Sequence, residues 1–197
     1  MVSFQYFVAS SLDGFIATAD DNLAWLLQFD GFEGGQDSYD AFMADVGCIV
    51  MGGETYAWLR EHEPDTWPYP GTPSWVFTRH EHSAPEGADV TFVRGAVGEF
   101  VDDLKDAAGG RNVWVVGGGV LAAQFADAGL LDELIVSVIP VVLGSGKPLL
   151  PMSGPTPPLE LTSSRTLGRG IVESRYRFPA RTQPDPARSG TAGGAFS

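Results

Sequence analysis

Short, densely apolar runs alternate along this chain with amphipathic stretches. Phe4-Gln5-Tyr6-Phe7-Val8-Ala9 opens it as a buried strand. Ser10 to Gly35 follows neither period, mixing Gly, Asp and scattered aromatics, and reads as irregular. Asp37–Asp45 predicts a short helix, with Tyr39, Phe42 and Met43 at helical spacing and Asp37 or Ser38 near its N-cap. Cys48–Met51 is a fully apolar second strand, and Thr55–His62 predicts a helix. Beyond a Pro- and Trp-rich loop at 64–73, Ser74–Thr78 and Val90–Val93 give the third and fourth strands. Val97–Ala108 is an amphipathic helix, Asn112–Val116 a fifth strand, and Val120–Ala128 another helix. Glu133–Ile139, Leu159–Thr166 and Ile171–Phe178 close the chain as strands with no helix between them.

Apolar strands that run into helices imply parallel pairing with both faces covered. The closing strands imply an antiparallel edge. The predicted architecture is three-layer α/β/α with a mixed, mostly parallel eight-stranded sheet, and ligands are expected at the carboxyl ends of its parallel strands. One domain is expected over residues 1–178, and 179–197, rich in Pro, Gly, Ser and Ala, is expected to be a disordered tail.

Composition narrows the function. The 197 residues contain no apolar run long enough to span a bilayer, and the N-terminus lacks the basic start of a signal peptide, so a cytoplasmic location is expected. A formal net charge of -13 repels nucleic acid and anionic lipid, leaving a small molecule as the expected partner. Any phosphate-bearing ligand then needs local donors. The single cysteine, Cys48, reads as a small buried hydrophobe. His80-x-His82 lacks a third ligand, and no metal site is expected.

Three segments carry the candidate chemistry. In Val113-Trp114-Val115-Val116-Gly117-Gly118-Gly119-Val120-Leu121-Ala122 a buried strand ends in glycines and a helix begins, an arrangement that presents free N–H groups to a phosphate without needing lysine. It fits a loose Rossmann pattern but lies on the fifth strand, not the first, so that reading is rejected. Ile49-Val50-Met51-Gly52-Gly53-Glu54-Thr55-Tyr56 repeats the junction, with Thr55 able to cap a helix or bond a phosphate oxygen. The third segment is Ala9-Ser10-Ser11-Leu12-Asp13-Gly14-Phe15-Ile16-Ala17.

With the late turn Ile139-Pro140-Val141-Val142-Leu143-Gly144-Ser145-Gly146, this ordered set resembles the reductase domain of bacterial riboflavin-biosynthesis deaminase-reductases, within the dihydrofolate reductase-like fold. The resemblance covers about residues 2 to 178. It implies NADPH as cofactor, with NADH the other candidate, and a homodimer. Ala9 and Ile16 would then flank the nicotinamide. Gly52, Gly53, Thr55, Gly117, Gly118, Gly119, Val120 and Leu121 would face the phosphates, and Phe77, Thr78 and Arg79 would line the adenosine side. Two departures stand out. Gly53 stands where the family usually has an arginine and Glu54 follows it, which leaves Arg79 or Arg94 to grip a 2′-phosphate and requires the Glu54 carboxylate to point away. No zinc-deaminase signature is present, so the expectation is a stand-alone reductase. Lys147 does not make a P-loop, because Pro148 stands where Ser or Thr is needed.

Asp37, the nearest match to the proton-donating carboxylate of the dihydrofolate reductases, is one catalytic candidate and Asp13 the other. Asp37 also suits an N-cap, and Asp13 the Asp of an Asp-Gly turn. Trp25, Phe29, Phe32 and Tyr39 suit either a substrate wall or core packing. The expected function is an NAD(P)H-dependent reductase of a small heterocyclic or carbonyl substrate. The acidic N-terminal third offers no basic cluster for a sugar phosphate. The alternative is a non-catalytic nucleotide- or ligand-binding protein on the same fold.

Overall fold

The computed structural model describes residues 1–179, so the tail expected to be disordered lies, from residue 180 on, outside the described residues. In chain order the elements are β1 (Phe4–Ser11), β2 (Phe15–Ala17), α1 (Ala24–Leu27), α2 (Gly35–Ala44), β3 (Val46–Gly52), α3 (Gly53–His62), β4 (Ser74–Phe77) and β5 (Val90–Val93). A 3₁₀ turn (Val97–Phe100) leads into α4 (Val101–Ala107), followed by β6 (Asn112–Val116), α5 (Gly119–Asp127), β7 (Glu133–Ile139), β8 (Lys147–Pro148), β9 (Glu160–Thr166) and β10 (Val172–Arg177). The large sheet has eight strands in the order β5-β4-β3-β6-β1-β7-β10-β9. From β5 through β7 every pairing is parallel, and β10 pairs antiparallel with both β7 and β9. This is the expected mixed, mostly parallel α/β sheet.

Apolar residues on both faces of the parallel strands explain the layering. Tyr6, Val50, Val115 and Val136 pack with Leu104 of α4 and with Leu121 and Phe125 of α5. On the other face Ile49, Met51, Trp114 and Ile135 pack with Phe42 of α2 and Tyr56 of α3. Each such fully buried side chain contributes roughly 1.5–3 kcal/mol. Cys48 belongs to the first of these cores, where burial pushes its thiol up to about 12. Among the described residues no helix is long and apolar enough to cross a membrane.

The sequence reading departs from the structure in the irregular segments. Ser10–Gly35 holds β2 and α1, and β2 pairs with β8 as a separate two-stranded ribbon. The second helix begins at Gly35, not Asp37, because Gly34 at φ +81° turns the chain into it. Gly34 is therefore the N-cap, and Asp37 sits inside the first turn with an exposed side chain. The helix predicted over 97–108 divides into the 3₁₀ turn and α4.

Two long-range ties fix α2 and the segment before it. Buried Glu173 on β10 accepts two bonds from Arg165 of β9 and one from the Ser38 hydroxyl of α2. At the β9–β10 turn, Arg169 donates to the Gln28 carbonyl and lies over the Phe29 ring at 4.5 Å. Its own backbone is left-handed at φ +62°, a cost of about 1 kcal/mol or more that those contacts offset.

Candidate active site

The two glycine junctions end on adjacent strands, β3 and β6, and one side chain joins them. Thr55, in the first turn of α3, accepts a bond from the Gly118 N–H at 3.2 Å. Thr55 thus braces the neighbouring junction and caps no helix; the N-cap of α3 is Gly52. Gly117 lies at φ +81°, and any Cβ there would overlap the Thr55 side chain. The buried Tyr6 hydroxyl donates to the Gly117 carbonyl at 3.1 Å, and burial raises its pKa. Neither α3 nor α5 has a side-chain cap. At the start of α5 the Leu121 N–H bonds to the Gly118 carbonyl, and no partner takes the Gly119 and Val120 N–H groups among the described residues. A Cβ at Gly52 would meet nothing within 4 Å, and one at Gly118 only Thr55 at 3.8 Å. These open positions beside two uncapped helix starts fit a pyrophosphate. Glu54 does point away, with 94% of its side chain exposed and Lys147 at 3.5 Å. Lys147 also pairs with Asp21 at 2.5 Å, which makes it a clasp between loops.

Gly53 has its own reason to be glycine. A Cβ there would lie 2.7 Å from the Thr78 hydroxyl, so the arginine usual at this place would collide with the end of β4. The cations stand one strand further out. Arg94, just past β5, donates to the backbone carbonyl of Arg79, just past β4, bringing both exposed guanidinium-bearing residues together. Phe77, expected beside the adenosine, instead packs its ring against Phe100 and Phe125, leaving Thr78 and Arg79 at that strand end. Val120 is exposed and Leu121 is core.

The Ser-Leu-Asp-Gly loop is held by its carboxylate. Asp13 accepts bonds from the Ser11 hydroxyl at 2.6 Å and from the Leu143 and Gly144 N–H groups at 3.1 and 2.7 Å. These donors, Ser11 foremost, lower its pKa to about 2. A carboxylate so held has no proton to give near neutrality, and its place here is that of a loop clamp. Because its folded pKa is depressed, the stability it contributes is present at neutral pH and is lost as pH falls through the folded value. Asp13→Ala is therefore expected to melt below wild type by a constant margin above about pH 5, with the gap closing between about pH 4 and 2. Melting curves of both proteins across that range check this, and a gap undiminished at the acid end would refute it.

A cavity of about 320 Å³ opens on the α2 face, at the carboxyl half of β1 and β7. Ala9, Phe7, Phe32, Tyr39 and Trp114 line it, with Asp30 and Ser137 among the polar groups. Of the four aromatics considered for a wall, Phe32 and Tyr39 take part. Trp25 is buried with Ile139 and Ile171, and Phe29 lies under Arg169. Neither Asp37 nor Asp13 lines the cavity. Ile16 is half-buried on β2. Trp114 and Ser137 were missed in sequence because each sits within a buried strand and reads as core.

Sheet order, glycine junctions and cavity define a class: a mixed α/β protein of the dihydrofolate reductase-like fold shared with the reductase part of RibD. Within that class, the chain belongs to the RibD C-terminal domain family, which matches residues 3–173. It is similar to the uncharacterized protein YwjB of Bacillus subtilis (strain 168), at 34% identity over 165 residues, covering 84% of this chain and 92% of YwjB. Among solved structures it resembles a putative riboflavin biosynthesis protein from Shewanella sp. PV-4, with TM-score 0.76 and 26% identity over 90% of this chain and 99% of that one. A pyrimidine reductase-like protein from Corynebacterium diphtheriae shares the fold at TM-score 0.65 and 14% identity, covering 91% and 93% of the two chains.

Proposed function

We propose that this protein is an NADPH-dependent reductase that delivers hydride to a small heterocyclic or carbonyl substrate. The observation that carries the reading is a continuous row of features along one sheet edge. Arg79 and Arg94 follow β4 and β5, the glycine junctions follow β3 and β6, and Ala9 on β1 borders the aromatic cavity. Those five strand ends span about 19 Å at the usual strand spacing, room for an extended dinucleotide. The N–H groups opening α3 and α5 would hold the pyrophosphate, Arg79 and Arg94 the 2′-phosphate, and the backbone at Ala9 the nicotinamide. The bound cofactor supplies hydride. The protein's own work is to orient it, through the Thr55 brace and the Asp13 clamp, and to keep water from the cavity with Phe7, Phe32 and Trp114.

NADPH is expected to raise the melting temperature by about 5–10 °C at a hundredfold excess over its Kd. NADH should do less, and Arg79→Ala with Arg94→Ala should erase the difference. If neither dinucleotide at millimolar concentration moves the melting temperature, the proposal fails. The second reading, a binding protein without turnover, draws on the location of Asp13 and Asp37 outside the cavity. Dinucleotide binding with no loss of nicotinamide absorbance across pterins, pyrimidines and carbonyls would favour it.

A further inference from the structure

The cavity's own chemistry narrows its ligand. Phe7, Phe32, Tyr39 and Trp114 present four aromatic rings, and among the described residues no lysine, arginine or histidine lines the cavity. Asp30 is the carboxylate there, and Asp37 and Asp40 add exposed negative charge on the adjoining helix. The neighbouring cations among the described residues are engaged elsewhere. Arg165 is bound to Glu173 and Ser38, and Arg169 to the Gln28 carbonyl and the Phe29 ring. A phosphate brought into this cavity would lose hydration and gain no counter-charge from the described lining. Aromatic walls instead favour a flat ring through stacking or edge contacts, and the acid favours a protonated one. At about 320 Å³ the volume stands at the small end of ligand pockets.

We infer that the substrate is a flat heterocycle, uncharged or protonated, that carries no phosphate. The inference rests on the reductase reading only for calling this ligand a substrate; its binding chemistry stands on the cavity alone.

Calorimetry without dinucleotide tests it, using three probes: 2,4-diaminopteridine, 5-amino-6-ribitylaminouracil and the phosphate ester of the latter. The two unphosphorylated rings should bind, and the ester should bind at least about tenfold more weakly than its parent. Asp30→Lys, a change at an exposed loop position, should shrink that gap severalfold. An ester that binds as tightly as its parent, no binding by any probe, or a gap that Asp30→Lys leaves unchanged would each overturn the inference. Because no cofactor enters the measurement, failure of NADPH to bind would be seen separately.

Discussion

Gly119→Ala is expected to cost about 3 kcal/mol of stability, to lower the melting temperature by roughly 6–12 °C and to remove dinucleotide binding. Gly119 opens α5 with its Cα pressed against the chain at β8. An added Cβ would overlap the Pro148 carbonyl oxygen and stand 2.5 Å from that of Leu149. Both obstacles are backbone, so no rotamer change relieves them. The helix start or the ribbon has to move, and either motion displaces the N–H groups proposed to hold the pyrophosphate. Gly118→Ala supplies the contrast. Its nearest contact would be 3.8 Å away, so the protein should melt within about 1 kcal/mol of wild type. A methyl group there still stands where a phosphate would approach, so the stabilisation by NADPH should shrink. Thermal melts of both variants with and without NADPH decide the matter. A Gly119→Ala protein that melts with wild type would remove the packing argument.

Arg165→Met should destabilise by about 2–3 kcal/mol, read as a lower urea midpoint with unchanged slope. Glu173 is 2% exposed, and Arg165 supplies two of its three hydrogen bonds. Without the guanidinium the buried carboxylate keeps only Ser38. The arginine side chain is itself 51% exposed, which places the expected loss below that of a wholly buried pair. Adding Glu173→Gln to Arg165→Met should recover part of the stability, since it removes the stranded charge. Equal midpoints for wild type and Arg165→Met would show that water replaces the arginine without cost. The tie also bears on the site, because Ser38 lies on the helix that carries Tyr39 into the cavity wall.

Much of this was legible in the sequence. Apolar runs that end in glycine and open a helix announced the parallel strands and placed the two junctions. The Ser-Leu-Asp-Gly segment announced its loop. What escaped depends on partners far along the chain. β2 and β8 are too short to show a period, and each exists only by pairing with the other. The start of α2 escaped because Gly34-Gly35 reads as loop, although Gly34 supplies the turn that begins the helix. Phe77 looked like a strand-end residue open to ligand, yet Phe100 and Phe125 draw its ring inward. The Glu173 network left one trace: a glutamate two residues after buried Ile171 in an alternating strand. An acid at an inward position asks for a cation, and Arg165 on the paired strand answers it.

β1, the first strand, lies between β6 and β7 near the middle of the sheet. Its register partners are Val113–Val115 on one side and Glu133–Ile139 on the other. The order of synthesis therefore opposes the order of assembly. As the chain leaves the ribosome, β3, β4 and β5 can pair early, while Phe4–Ala9 waits with both edges bare until β6 and β7 have emerged. An apolar strand held unpaired for that interval is a substrate for chaperones and a seed for misassociation. Long-range parallel closure of this kind also slows refolding of the complete chain. The position that lets β1 connect the glycine junctions to the cavity is also the one the nascent chain completes late.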